Sequence, residues 1–244
     1  MHQIKTGDKL GEIIVVKRKK QFKTNVRSLI TKFNPKSPIS EQYRTIRTNI
    51  EFASVDQDIH SILVTSSGPS EGKSSTTANL SVVFAQQGKK VLLIDGDLRK
   101  PTVHYTFKLD NRIGLSTVLV GEKSLEETVK ETDIPNLNIL TCGPIPPNPS
   151  ELLGSKAMEQ MFQLAQKNYD VIIFDTPPVL AVTDAQILAN VCDGSLIVAR
   201  SNQTEFEAIQ KARELMELAK AKLLGVVLND VPQKKSNTYY YYGS

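Results

Sequence analysis

A single α/β domain, built on a mostly parallel sheet with helices on both faces, is what three features of this 244-residue sequence predict. From residue 40 onward, apolar runs of strand length alternate with amphipathic runs of helix length, the pattern of a parallel sheet buried from both sides. One run, Ile62-Leu63-Val64, leads into Ser67-Gly68-Pro69-Ser70-Glu71-Gly72-Lys73-Ser74 and then into a helix-forming stretch from Thr76 to Phe84. Two more, Val91-Leu92-Leu93-Ile94 and Val171-Ile172-Ile173-Phe174, end in Asp95 and Asp175. Strand ends are where an open sheet of this kind gathers its ligand-handling groups.

Taken in order, the strands are expected at residues 59–65, 90–95, 137–141, 169–175, 195–199 and 223–228. Helices are expected at 150–167, 181–191 and 204–221, where Leu, Ile, Met and Ala recur every three or four residues. Gly143-Pro144-Ile145-Pro146-Pro147-Asn148-Pro149 lacks the N–H groups to join a sheet and reads as a stiff loop before a helix that Ser150 could cap. Three segments result: a basic arm at 1–36, a body at 37–231, and a polar tail at 232–244 that ends near Tyr239, Tyr240, Tyr241 and Tyr242.

The composition, 40% hydrophobic and 23% charged, is that of an ordinary soluble domain, and no apolar stretch approaches the ~18 residues that span a bilayer. The net charge of +4 is unevenly placed. Residues 1–36 hold ten Lys and Arg against Asp8 and Glu12, which leaves twenty basic and twenty-four acidic residues elsewhere. Lys17-Arg18-Lys19-Lys20 could meet an anionic surface, but a solvated arm is the simpler reading and nucleic acid is not an expected partner. Cys142 and Cys192 show neither metal-ligand nor redox spacing and suit a reducing, cytoplasmic location.

The loop at 67–74 has the spacing of a phosphate cradle between strand and helix. Gly72 lets the backbone curl so that successive N–H groups face the β- and γ-phosphates, and the helix N-terminus adds positive potential. Lys73 then neutralises phosphate charge and the Ser74 hydroxyl holds Mg²⁺. Gly68, Pro69, Ser70, Glu71 and Ser75 complete the expected ATP contacts, and Asn229, after the strand at 223–228, is a candidate for the base side.

Mg²⁺ keeps several waters, so Ser74, phosphate oxygens and one carboxylate can suffice while another acts through water. A tyrosine hydroxyl, with a reference pKa near 10, must shed or share its proton as it attacks, and a nearby carboxylate can take it. Asp95 and Asp97 are both candidates for that base.

These residues resemble the bacterial tyrosine kinases of capsule and exopolysaccharide synthesis, P-loop proteins unrelated to eukaryotic protein kinases. The resemblance spans residues 37–244. It rests on the loop at 67–74 as Walker A, residues 91–101 as a second Asp-bearing motif, residues 171–175 as Walker B, and the terminal tyrosines. Glu41-Gln42-Tyr43-Arg44-Thr45-Ile46-Arg47 matches the Glu-x-x-Arg-x-x-Arg motif of ring-like self-assembly, and Glu41, Arg44 and Arg47 share one helix face. The resemblance implies an autokinase that uses MgATP on the tyrosine tail of a neighbouring subunit and on other cytoplasmic proteins, among them polysaccharide-synthesis enzymes. It implies that Asp97 and Asp175 support the metal and that Asp95 is the base. A transmembrane activator that recruits the kinase to the membrane and a cognate phosphatase are implied partners. Residues 1–25 lie outside the resemblance and read as an expression-derived addition or a fused piece of an activator.

The competing reading is an ATPase switch of the chromosome-partitioning and division-site type. Its loop carries a Lys one position after the first Gly position; Gly68 stands there here. A third reading is an interaction protein whose aromatic tail binds a partner.

Overall fold

The run Ser61–Ser66 is buried at every position, as is Val91–Asp95, so both strands need apolar cover on two faces rather than one. The computed structural model describes residues 13–18 as backbone, together with 29–53 and 58–232. Within them eight strands form one sheet: β1 (Ile13–Arg18), β2 (Ser61–Ser66), β3 (Val91–Asp95), β4 (Lys130–Glu131), β5 (Leu137–Leu140), β6 (Val171–Asp175), β7 (Gly194–Arg200) and β8 (Leu223–Pro232). The order across the sheet is β1-β8-β7-β2-β6-β3-β5-β4. All pairings are parallel except that of the two-residue edge strand β4 with β5. Parallel strands bring their carboxyl ends to one rim.

Alternation along the strands divides the core into two layers. Ile62 and Val64 face the layer shared with α2 (Pro38–Phe52) and α3 (Lys73–Gln86). Leu63 faces the layer shared with α8 (Lys156–Asn168), α9 (Asp184–Ala189) and α10 (Phe206–Leu218). Helix α3 is buried almost all round, since α1 (Ile30–Phe33) and α2 cover the side that the sheet does not. Thr31 of α1 donates from its N–H (3.1 Å) and its hydroxyl (2.8 Å) to Asn79 Oδ1 of α3. The folded body therefore begins before Ser37, the expected boundary: α1 packs on α3, and β1 pairs parallel with β8 from Ile13 opposite Val226 to Arg18 opposite Pro232, with a register shift between Val15 and Lys17.

Three expectations change. The helix expected at 150–167 is two, α7 (Pro149–Leu153) and α8, separated at Gly154 and restarted by Ser155, whose side chain accepts from Met158 N–H. Ser150 does not cap: Asn148 holds the N-cap position, and the Ser150 hydroxyl points to Asp184. The strand expected to stop at 228 runs to Pro232, where β1 gives it a partner. The short helices α4 (Val103–Phe107), α5 (Leu115–Leu119) and α6 (Leu125–Thr128) were not expected at all. Among the described residues no helix is long and apolar enough to cross a membrane.

Candidate active site

The carboxyl ends of β2, β3 and β6, adjacent in the sheet, converge on the loop at 67–74. Ser70 (φ 64°) and Gly72 (φ 99°) take left-handed conformations that turn this loop back on itself before α3 starts at Lys73. Hydroxyls fasten its base: Ser66 Oγ donates to Gly68 O (2.7 Å), and Thr65 Oγ1 donates to Pro177 O beyond β6 (2.8 Å). Glu71 is buried. Its Oε1 accepts from Ser67 Oγ (2.7 Å) and from Thr204 Oγ1 (2.8 Å), and its carbonyl accepts from Asn229 Nδ2 (3.0 Å).

Lys73 bridges the two acidic strand ends. Its Nζ lies 3.1 Å from Asp97 Oδ2, 3.6 Å from Asp175 Oδ1 and 3.3 Å from Ser74 Oγ. Burial works against the Lys73 charge, but the carboxylates of Asp175 and Asp97 outweigh it and hold the pKa above its ordinary value. Asp97 is pinned at its other oxygen, which accepts from Lys100 N–H at 3.0 Å. The backbone of the motif after β3 sits on the end of β6, with Gly96 N–H donating to Asp175 O at 2.8 Å.

Asp95 is wholly enclosed. One oxygen accepts from the N–H groups of Thr102 (2.9 Å) and Val103 (3.0 Å) at the start of α4, and the other, Oδ1, has no hydrogen-bond partner among the described residues. Burial, and then the charge of Asp175, push its pKa up to about 8.

The structure thus brings together Lys73, Ser74, Asp95, Asp97 and Asp175, with Asn229 touching the loop through Glu71. It separates the helix-face trio: Arg44 pairs with Glu41 on the exposed side of α2, while Arg47 turns inward and donates to Val83 O of α3 (3.1 Å). Residues 239–242 and the basic cluster at 19–20 lie outside the described residues. Sequence reasoning missed Asp184, Arg99 and Ser150, which meet beside Asp97, and Thr204, which reaches the loop from beyond β7. Arg99 lies inside the Asp-bearing motif at 91–101, but nothing local marks the others: Asp184, Ser150 and Thr204 are lone polar residues far in sequence from the groups they meet.

Oxygen donors from Ser74, Asp97 and Asp175 suit a hard divalent cation, and Asp95 Oδ1 is a buried oxygen without a donor. Among the described residues no three or more His, Cys, Asp or Glu side chains form a metal cage by themselves. A cation here would need phosphate oxygens and Ser74, which is how Mg²⁺ is held in phosphate-loop sites.

A parallel sheet with a phosphate cradle at one strand end and acidic residues at the next two defines a P-loop ATPase-type protein. A family model described as an AAA domain matches residues 59–224. The tyrosine-protein kinase YwqD of Bacillus subtilis is 55% identical over 227 residues, 93% of this chain and 96% of the relative. The solved chimerical protein CapA2B2 superposes with a TM-score of 0.86 at 44% identity, covering 91% of this chain and 96% of the other. More distantly, the septum site-determining protein MinD of Pyrococcus horikoshii, solved with Mg-ADP, has a TM-score of 0.59 at 26% identity over 69% of each chain. The chain belongs to the bacterial tyrosine kinases of capsule and exopolysaccharide synthesis, and it is a protein-tyrosine kinase on a P-loop fold.

Proposed function

We propose that this kinase uses MgATP to phosphorylate Tyr239, Tyr240, Tyr241 and Tyr242 of a neighbouring copy, and tyrosines of other cytoplasmic proteins such as polysaccharide-synthesis enzymes. The observation that carries the reading is Lys73 held between Asp97 and Asp175, which sets a phosphate-binding lysine against the two carboxylates at a metal-competent rim. The backbone of residues 68–75 cradles the phosphates, Ser74 with Asp97 and Asp175 would hold Mg²⁺, and Asn229 supports the loop from the base side through Glu71. Bound Mg²⁺ would neutralise charge on the β- and γ-phosphates.

Of the two candidate bases, Asp95 fits better, since both oxygens of Asp97 are engaged and Oδ1 of Asp95 is not. Its raised pKa makes it a stronger base than an ordinary carboxylate and sets it near the working pH, so that it accepts the tyrosine proton once its own has left. The acceptor would arrive over exposed Tyr105, Ile145 and Leu180, which follow the carboxyl ends of β3, β5 and β6. The likeness to the chimerical protein CapA2B2 supports an activator partner; in this proposal the cytoplasmic tail of a transmembrane activator stimulates the kinase and recruits it from the cytoplasm to the membrane. A cognate phosphatase would reverse the mark, and Glu41 with Arg44 on the open face of α2 would pair between subunits of a ring.

Intact-mass and peptide mass spectrometry after incubation with MgATP and an activator fragment tests this, beside Lys73→Met. Phosphate on residues 239–242 of the wild type alone is expected. ATP consumed with a clean tail would replace the proposal with the ATPase-switch reading.

A further inference from the structure

Asp184 opens α9 and is completely enclosed, with 0% of its side chain exposed. A buried carboxylate is costly unless its lone pairs are filled, and three donors fill them. Arg99 Nε donates to Oδ2 (2.9 Å), Arg99 Nη2 donates to Oδ1 (3.0 Å), and Ser150 Oγ donates to Oδ1 (2.7 Å). Arg99 Nη2 also donates to Ser150 Oγ at 2.9 Å, which closes the cluster. The planar fork of the guanidinium on a carboxylate fixes orientation as well as distance.

The three residues come from three different connections that follow β3, β5 and β6 at the reacting rim. Arg99 lies two residues beyond Asp97 after β3, Ser150 follows the proline-rich loop after β5, and Asp184 follows the Walker B strand β6. The same α9 also seats the other end of the Asp-bearing loop. A Cβ on Gly96 would stand 3.1 Å from Leu188 Cδ1 and 3.1 Å from the Asp175 carbonyl, so the loop has no slack there. Helix α9 thus grips residues 96–99 at both ends, and Asp97, between the grips, is the carboxylate that meets Lys73.

We propose that Asp184 is a positioning residue for phosphoryl transfer: through Arg99, with Ser150 as the third member, it holds the loop that carries Asp97 against Lys73 and Ser74. The Asp184 side chain is fully enclosed and is held by Arg99 and Ser150. Its contribution is geometric, and misplacing a reacting group by about 1 Å can cost on the order of a hundredfold in rate. The inference rests on Lys73 and Asp97 belonging to the reacting site.

The test is steady-state kinetics of full-chain Asp184→Asn, Arg99→Lys and their double variant, with Lys73→Met as the reference. Rates of tail phosphorylation, the KM for ATP, the Mg²⁺ midpoint and the thermal midpoint are read together. Each single variant should lower kcat about 10- to 100-fold and raise the Mg²⁺ midpoint, with the KM for ATP within about threefold of wild type. Because both act on one link, the double should be no slower than the slower single, within about twofold. Losses that multiply in the double would overturn the inference, as would a raised KM at full kcat, or a lowered thermal midpoint at unchanged kcat. If Asp184→Asn fails to fold, Arg99→Lys still decides: it keeps the charge and loses the fork, and wild-type kcat in it sinks the proposal. An active Lys73→Met would sink the site assignment itself, a different failure from an inactive Lys73→Met beside a fully active Arg99→Lys.

Discussion

Asn229 Nδ2 donates a 3.0 Å hydrogen bond to the Glu71 carbonyl, and it does so across the one place where Gly72 leaves room. A Cβ on Gly72 would stand 2.0 Å from that nitrogen, and its φ of 99° is one that L side chains rarely adopt. Strand β8 is therefore latched to the phosphate loop by a contact that requires glycine.

Gly72→Ala should for this reason lose twice, through the strained φ and through the displaced Asn229. The backbone term alone costs on the order of 1–3 kcal/mol. Urea denaturation should show that loss, and a fluorescent-nucleotide titration should show binding weakened tenfold or more, about 1.4 kcal/mol per decade. Adding Asn229→Ala should recover only the part due to the collision. Full recovery in the double variant would mean that φ is not the constraint.

Thr204 ties the loop to the other neighbouring strand. Its hydroxyl donates to Glu71 Oε1 and accepts from Arg200 N–H at 2.8 Å, while Glu71 Oε2 has no partner among the described residues. Thr204→Val keeps the shape and removes both bonds, leaving a buried carboxylate oxygen served by Ser67 alone. A destabilisation of about 1–3 kcal/mol is expected, with Ser201→Ala as a neighbour that should be close to neutral. Equal denaturation midpoints for Thr204→Val and wild type would show that water replaces the hydroxyl.

Much of this site could be read from the sequence, for a specific reason. Asp95 and Asp175 each end an apolar strand run, Asp97 follows two residues on, and Lys73 closes the loop between such a run and a helix, so local patterns report a shared location. Asp184 has no such marker: its partner Arg99 is 85 residues away and Ser150 is 34. Thr31 and Asn79, 48 apart, are hidden in the same way. Helices α4, α5 and α6 have five, five and four residues, too few for helical periodicity to appear. The helix expected at 150–167 failed differently, since its apolar spacing carries on through a real break at Gly154 and Ser155.

Asp95 gives the metal-free protein a pH dependence with a definite sign. Burial, followed by the Asp175 charge, raises its pKa from 3.8 to about 8, so the folded state holds a proton that the unfolded chain releases. That contribution is complete below the unfolded value and is lost as pH rises through the folded one, at about 1.4 kcal/mol per unit of pKa difference. The thermal midpoint of the metal-free wild type should therefore fall between pH 4 and 8 more steeply than that of Asp95→Asn, which stays neutral throughout. Parallel curves for the two proteins would show that Asp95 is already ionised in the fold.

The direction of tail phosphorylation is open to a mixing experiment, because reach alone does not decide it. β8 is parallel to its neighbours, so the chain leaves Pro232 at the same rim as the phosphate loop. Tyr239 lies seven residues further on, roughly 25 Å when extended, enough to span much of its own domain. Transfer between copies must therefore be distinguished from transfer within one. A Lys73→Met copy with its tyrosines intact can be mixed with an active copy in which residues 239–242 are all Phe. Phosphate should then appear on the Lys73→Met copy, at an initial rate that rises with the product of the two concentrations while the copies are dilute. A clean Lys73→Met tail, beside wild-type protein whose phosphorylation per molecule does not change on dilution, would show that each chain modifies itself.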